Sequence, residues 1–145
     1  MTTGSAQIDA ERAFSRLGRS RRRAALASRL RREPAGRGQL PVYDERTLQA
    51  AGAQRRFGIR EIPLDAICGT VEPSRAKLFD DCFRPAATVR RCWERLWVAE
   101  QRGTVLPPIS VVPIGEMYAI RDGHHRVSVA KSRGAMTIDA SVDRV

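Results

Sequence analysis

The sequence has 145 residues, of which 26 are Lys or Arg and 16 are Asp or Glu, giving a formal net charge of +10 at pH 7. This length predicts one compact domain and argues against a large multidomain enzyme. Hydrophobic residues make up 42% of the chain and charged residues 29%, which is typical of a globular protein rather than a disordered one. No stretch approaches the roughly 18–20 apolar residues of a membrane span, and no secretory signal is evident. We therefore expect a cytoplasmic protein with no membrane partner.

The positive charge is concentrated near the N-terminus. Residues 1–56 hold 13 Arg and 5 acidic residues, a net charge of +8, whereas residues 57–145 have a net charge of +2. We therefore predict a basic helical arm and linker at 1–56, followed by a folded domain at 57–145. Non-specific contact with DNA is expected from the arginine run of the arm, namely Arg19, Arg21, Arg22 and Arg23. The alternative is a solvated helix face.

The three cysteines are Cys68, Cys82 and Cys92. Their odd number and the absence of a C-x-x-C pair argue against a disulfide framework. A zinc site shared with His124 or His125 would lack a closely spaced ligand pair. We therefore expect buried structural thiols and no metal site.

The arm has a helical pattern over residues 7–33. Its apolar residues recur at i, i+3, i+4 and i+7, at Ala10, Ala13, Phe14 and Leu17. Gly18 and Ser20 interrupt this pattern, so two shorter helices and one kinked helix are both compatible with it. Pro34 ends the pattern, and Asp44 is a candidate N-cap for a short helix further on.

The remaining sequence predicts the order β-α-β-β-α-β. Strands are expected at 59–67, 108–114, 117–120 and 136–142, and helices at 88–102 and 122–134. Thr88 is the candidate N-cap of the first of these helices, and Gly115-Glu116 is typical of a type II′ hairpin turn. This order predicts an α+β fold with a small mixed sheet, preceded by the arginine-rich helical arm.

Two tryptophans, Trp93 and Trp97, share one face of the helix expected at 88–102. Such a pair can form a stacking platform for nucleic-acid bases. Helical spacing favours the other interpretation, in which both side chains belong to the hydrophobic core.

The residues with the clearest chemistry are Asp122, Gly123, His124, His125 and Arg126, where a strand is expected to end and a helix to begin. The first N–H groups of a helix lack intrahelical partners, and the helix dipole makes that end electropositive. Gly123 permits a tight turn, Arg126 matches phosphate oxygens, and the histidines can change charge near neutral pH. The pattern predicts an anion site, most naturally for phosphate. The alternative is that Asp122 caps the helix and the histidines are structural.

The segments IPLDAI, SRAKLFDD and LPPISVVPIGEMYAIRDGHHRVSVAKSRGAMTIDASV resemble the ParB/sulfiredoxin-like superfamily, in particular the N-terminal nucleotide-binding domain of ParB chromosome-partitioning proteins. The resemblance covers about residues 58–142. It includes a Gly-x-x-Arg turn that cradles nucleotide phosphates in that family. It implies a nucleoside triphosphate ligand, CTP or ATP, with Mg²⁺ as a candidate companion. The implied phosphate-binding residues are Gly123, His124, His125 and Arg126, with Arg75 a further candidate because Arg75 and Phe79 loosely match a PR-x-x-F box.

The sequence also departs from this family. Where ParB proteins usually carry acidic and arginine residues in the turn, this chain has His124 and His125. Sulfiredoxins carry their reactive cysteine in the same turn, so sulfiredoxin chemistry is not expected. No counterpart of the ParB helix-turn-helix DNA reader is expected either.

The sequence therefore predicts a ParB-like nucleotide-binding protein that is DNA-associated or regulatory. The alternative is a Mg²⁺-dependent phosphoryl-transfer enzyme, either a small-molecule kinase or a nuclease. In that case Arg126 and the histidines would clamp the phosphates, and Asp122 or Glu116 would supply the carboxylate. The pattern assigns no catalytic residue beyond the candidate Asp122.

Overall fold

A computed structural model of the chain describes residues 3–34, 38–50 and 58–143. The helices are α1 (Thr3–Leu30), α2 (Glu45–Ala50), α3 (Pro73–Ala76), α4 (Arg90–Gln101) and α5 (His124–Ser132). The strands are β1 (Gly58–Pro63), β2 (Ile67–Thr70), β3 (Ile109–Ile114), β4 (Met117–Asp122) and β5 (Thr137–Val142). Short 3₁₀ turns occupy Leu64–Ala66 and Ala87–Val89. Among these helices, none has both the length and the apolar character that a bilayer crossing requires.

The five strands form one mixed sheet in the order β1-β5-β3-β4-β2. The β1–β5 and β3–β4 pairs are antiparallel, whereas the β3–β5 and β2–β4 pairs are parallel. With the helices, this sheet confirms the predicted α+β class with a mixed sheet. The parallel β2–β4 pair places the ends of these two strands at the same edge of the sheet.

The predicted order of elements is wrong at its first strand. The segment expected as one strand at 59–67 forms β1 and β2, which lie at opposite edges of the sheet and are joined by the 3₁₀ turn. Ile62, Leu64 and Ile67 are buried before, within and after the 3₁₀ turn, so apolar residues recur through the break without a polar gap. The sequence therefore gives no clear sign that the chain crosses from one edge of the sheet to the other. A short helix, α3, also follows β2.

The helical pattern expected over residues 7–33 lies in one uninterrupted helix, α1, which continues through Gly18 and Ser20 and ends at Leu30. Its first half packs on α4, where the Phe14 and Trp93 rings meet edge to face with centroids 5.4 Å apart. Ala10 is fully buried in the same layer. The boundary predicted between residues 56 and 57 lies outside the described residues. The described part of the basic arm therefore forms a layer of the fold.

The turn and cap predictions have mixed outcomes. Asp44 does cap α2, because its Oδ1 accepts the Arg46 N–H at 2.9 Å. The hairpin between β3 and β4 is confirmed, with Gly115 at φ 56°. Thr88 does not cap α4: it lies within the 3₁₀ turn, and α4 starts after Val89 without a side-chain cap.

Trp93 confirms the core interpretation of the tryptophan pair. Its side chain is fully buried, and its Nε1–H donates to Ser128 Oγ at 2.8 Å. Trp97 is half-buried beneath the guanidinium of Arg133, 4.7 Å from its ring centroid. The two rings therefore help to pack α4 against its neighbours.

The expectation of buried thiols is wrong for two of the three cysteines. Cys82 and Cys92 are exposed, and only Cys68 is half-buried. Cys92 precedes the fully buried Trp93 on α4, and one residue of a helix turns the side chain by about 100°. Within the described ranges, no group of three or more His, Cys, Asp or Glu side chains is arranged to hold a metal ion.

Candidate functional site

The turn at Gly123 joins β4 directly to α5. Gly123 precedes the helix with φ 114° and ψ 22°, a left-handed conformation that L side chains rarely adopt. A Cβ at this position would also lie 2.4 Å from Ile109 Cγ2 on β3. A glycine is needed here because any larger residue would clash with the side chain of Ile109.

The N-terminus of α5 has no side-chain cap. The first helical bond there runs from Val127 N–H to Gly123 O at 3.0 Å, so the N–H groups of residues 124–126 have no partner within the helix. The alternative in which Asp122 caps the helix is therefore wrong. This end of α5 offers several N–H donors and the positive end of a helix dipole.

His124 is held at the first position of α5 by a buried hydroxyl. Its Nε2 lies 2.6 Å from Thr70 Oγ1, and that hydroxyl donates its one proton to Ile120 O at 3.0 Å. Thr70 Oγ1 also accepts the backbone N–H of Glu72 at 2.9 Å. Because its proton is already used, the hydroxyl must accept from His124, which fixes the neutral Nε2–H tautomer.

The buried environment keeps His124 uncharged. The residue is only 3% exposed, and burial, followed by the positive charge of Arg75 and the neighbouring His125, lowers its pKa to about 4. The predicted change of charge near neutral pH is therefore wrong for His124. A neutral, fixed imidazole at this position acts as a structural element of the turn.

His125 is half-buried beside the same aromatic ring. Phe79 lies edge-on to His125 at a centroid distance of 5.3 Å and stacks on His124 at 6.3 Å. Burial, followed by the charge of Arg75, lowers the pKa of His125 as well. The Phe79 ring therefore packs against both histidines and helps to hold the turn in place.

Arg75 is brought to this turn from a distant part of the sequence. It lies on α3, just after β2, and the turn follows β4. Because β2 and β4 are parallel neighbours, their carboxyl ends meet at one edge, the usual position of ligand sites in such sheets. Arg75 is exposed, and its charge acts on both histidines. The structure therefore brings Arg75 to the turn that holds the other predicted phosphate-binding residues.

Arg126 is bonded within the protein. Its Nη1 donates to Pro107 O at 2.6 Å and to Pro108 O at 2.9 Å, and its Nη2 donates to Asp122 Oδ2 at 3.2 Å. Its side chain is only 15% exposed. The guanidinium group of Arg126 therefore holds the segment before β3 against the turn. Its Nη1 donors, which were predicted to face phosphate, bind backbone carbonyls instead.

The two carboxylate candidates lie far apart. Asp122 is at the turn, with its side chain 79% exposed and paired with Arg126. Glu116 lies in the hairpin at the opposite end of β4, about 20 Å away along the extended chain. Only Asp122 is therefore near the other site candidates.

The arginine run of α1 does not form a single surface. Arg21 is half-buried and directs Nη2 towards Lys77 O at 3.5 Å, whereas Arg19, Arg22 and Arg23 are exposed. Successive residues of a helix differ by about 100° in direction, which separates Arg21 from the other three.

Thr70 is the site residue that sequence reasoning missed. It is fully buried at the end of β2, and its role depends on the pairing of β2 with β4. The sequence holds no local signal for this contact, since Thr70 precedes His124 by 54 positions.

No family model and no curated protein matches the sequence. A comparison with solved structures finds the sulfiredoxin from Arabidopsis thaliana, which is 20% identical and has a TM-score of 0.46. The match covers 60% of this chain and 85% of that chain. At this identity the similarity concerns the fold alone.

Proposed function

We propose that this chain binds a nucleotide through its phosphate groups at the N-terminal turn of α5. The observation that supports this most strongly is the convergence of Arg75 on the uncapped start of the helix. Arg75 lies close enough to lower the pKa of both His124 and His125, and no side chain caps the N–H groups beside them. An arginine and a helix N-terminus both favour an anion at the same place, and phosphate is the anion that such helix termini commonly bind.

The residues of the turn have different roles in this proposal. Arg75, which is exposed, supplies the cation that contacts phosphate, together with the N–H groups at the start of α5. Arg126 is a positioning residue, because its bonds to Pro107 O and Pro108 O fix the turn against the chain before β3. His124 is a second positioning residue, fastened to Thr70. Both act through the shape of the turn.

Association with DNA is a separate part of the proposal and depends on the exposed arginines of α1, Arg19, Arg22 and Arg23. Contacts of this kind go to phosphates and carry no sequence information. Their affinity for duplex DNA falls steeply with salt. Equal affinity at low and moderate salt would contradict this part of the proposal and leave the nucleotide site unaffected.

Phosphoryl transfer is retained as a second candidate because Asp122 lies at the same turn with an exposed carboxylate. Mg²⁺ at phosphate sites is usually bound by one or two carboxylates in addition to the phosphates, and Asp122 would supply one. Turnover of a nucleoside triphosphate with Mg²⁺ that is lost in Asp122→Asn, with binding retained, would support this candidate. Turnover that Asp122→Asn leaves unchanged would contradict it.

The test of nucleotide binding is calorimetric titration of the whole chain with ATP, CTP and GTP, each with and without Mg²⁺. We expect at least one nucleotide to bind, and Arg75→Gln to weaken that binding by roughly tenfold, as loss of one charge-assisted contact does. Arg91→Gln removes an exposed arginine on α4 and is the matched control. No heat with any nucleotide, or equal binding by wild type and Arg75→Gln, would contradict the proposal.

A further inference from the structure

A concave site is lined by residues of α1 and of the segment that begins at the end of α3. It is a cleft of about 600 Å³ between the C-terminal half of α1 and the segment 76–84. Its α1 wall contains the small residues Ala24, Ala25 and Ser28, which leave the space that larger side chains would fill. This volume is within the range of small-molecule sites.

The walls of this cleft are fastened to each other. Arg84 donates from Nη1 to Ser20 Oγ on α1 at 2.8 Å and from Nε to Asp80 Oδ2 at 2.6 Å. The backbone N–H of Asp81 donates to Gly38 O at 2.8 Å. The cleft is therefore preformed, which lowers the entropy cost of binding a ligand there.

The cleft has an excess of positive charge. Among the residues that the structure describes, its lining includes five cations and three carboxylates, an excess of two: Arg21, Arg29, Arg31, Lys77 and Arg84 against Glu33, Asp80 and Asp81. Two of the cations are paired within the cleft, Arg31 with Glu33 and Arg84 with Asp80.

Arg29 and Lys77 lie on opposite walls of the cleft and are both exposed. Within residues 3–34, 38–50 and 58–143, neither has a carboxylate at salt-bridge distance. They are therefore the cations of the cleft best placed to meet a ligand.

We propose that this cleft binds the phosphomonoester group of a nucleotide-sized ligand. A phosphomonoester carries a charge close to −2 at neutral pH, which matches the excess of two cations. Arg29 and Lys77 bind the phosphate from opposite sides, and the alanines of α1 pack against the organic part. Two sources have this chemistry, a free nucleoside monophosphate and the 5′-phosphate end of a nucleic acid.

The cleft is distinct from the turn that binds nucleotide in the proposed function. Phe79 lines the cleft and also contacts the rings of His124 and His125, but none of residues 122–126 lines the cleft. The cleft proposal stands without the proposed function, because it uses none of the same cations.

The test is amide chemical-shift mapping of the full chain titrated with AMP, with adenosine as the ligand that lacks phosphate. We expect AMP to shift the amides of Ala25, Lys77 and Cys82 to saturation and adenosine to leave them unchanged. The double variant Arg29→Gln/Lys77→Gln is expected to weaken AMP at least tenfold. Arg12→Gln, an exposed arginine of α1 outside the cleft, is expected to bind as the wild type does.

The source of the phosphate is resolved by a tetrathymidylate with and without a 5′-phosphate. Tighter binding of the phosphorylated oligonucleotide than of AMP identifies a nucleic-acid end, whereas the reverse identifies a free nucleotide. Equal binding of adenosine and AMP, or unchanged binding by the double variant, would overturn the cleft proposal. AMP shifts confined to residues 124–126 would overturn the cleft proposal and support binding at the α5 turn. AMP shifts confined to the lining of the cleft would support the cleft proposal.

Discussion

The Nε2 atom of His124 lies 2.6 Å from the hydroxyl oxygen of Thr70, and this contact joins the start of α5 to the end of β2. Both side chains are buried. The hydroxyl also bonds to Ile120 O and to the N–H of Glu72, so one oxygen connects β2, β4 and α5. The geometry of the proposed phosphate site therefore depends on this hydroxyl.

Thr70→Val is expected to destabilise the protein by about 1–3 kcal/mol, because it leaves the buried Nε2–H of His124 without an acceptor. Urea unfolding at pH 7 measures the change. Thr70→Ser keeps the hydroxyl and is the control, with an expected loss of about 1 kcal/mol for the missing methyl group. A Thr70→Val variant as stable as the wild type would show that the hydroxyl contact contributes nothing to stability.

The stability of the protein is expected to fall between pH 6.5 and pH 4 because of His124. Its pKa is lowered from 6.5 to about 4 in the folded state, so the unfolded chain binds more protons than the folded chain in this window. Stability then rises with pH, and the full effect amounts to roughly 3 kcal/mol. Urea unfolding at several pH values measures it.

His124→Gln is the variant that tests this assignment, because it removes the titrating group. We expect a flatter pH profile for this variant between pH 4 and 6.5. The lowered pKa of His125 adds a contribution of the same sign, which His125→Gln removes separately. A steep profile that persists in His124→Gln would assign the pH dependence to other groups.

Gly123→Ala is expected to destabilise the protein by about 2–4 kcal/mol, since it adds both strain at positive φ and a clash with Ile109. Gly115→Ala is a matched comparison. Gly115 also has positive φ, but a Cβ added there would meet no atom within 4 Å, so the expected loss is about 1–2 kcal/mol. If thermal unfolding showed the same loss of stability for both variants, the clash with Ile109 would not explain the glycine at position 123.

Arg126→Gln is expected to loosen the segment before β3, because the bonds to Pro107 O and Pro108 O are lost. Hydrogen exchange should speed up at Ile109 and at the start of α5, and nucleotide affinity should fall less than in Arg75→Gln. A larger loss of affinity in Arg126→Gln, with exchange unchanged, would show that Arg126 contacts the phosphate directly.

The turn at 122–126 could be predicted from the sequence because its signals are local. A strand pattern ends at Ile120, the segment that turns into a helix begins at Asp122, and Gly123 permits the turn. The contact between Thr70 and His124 could not be predicted, because it depends on which strands are neighbours in the sheet. Buried apolar residues recur from β1 to β2 without a polar gap, and this conceals the crossing between the two edges.

The bonding of Arg126 could not be predicted for a different reason. Its acceptors are the backbone carbonyls of Pro107 and Pro108, and every residue carries such a group. An arginine near a helix N-terminus therefore has the same sequence pattern whether it faces a ligand or its own chain.

The central claim is that the start of α5 binds phosphate, and amide chemical-shift mapping with a saturating nucleoside triphosphate tests it most directly. We predict the largest shifts at His124, His125 and Arg126, and that Arg75→Gln needs roughly tenfold more nucleotide to reach them. Thr70→Ser, which retains the hydroxyl, should keep these shifts. Saturating nucleotide that leaves the amides of residues 124–126 unshifted would contradict the claim.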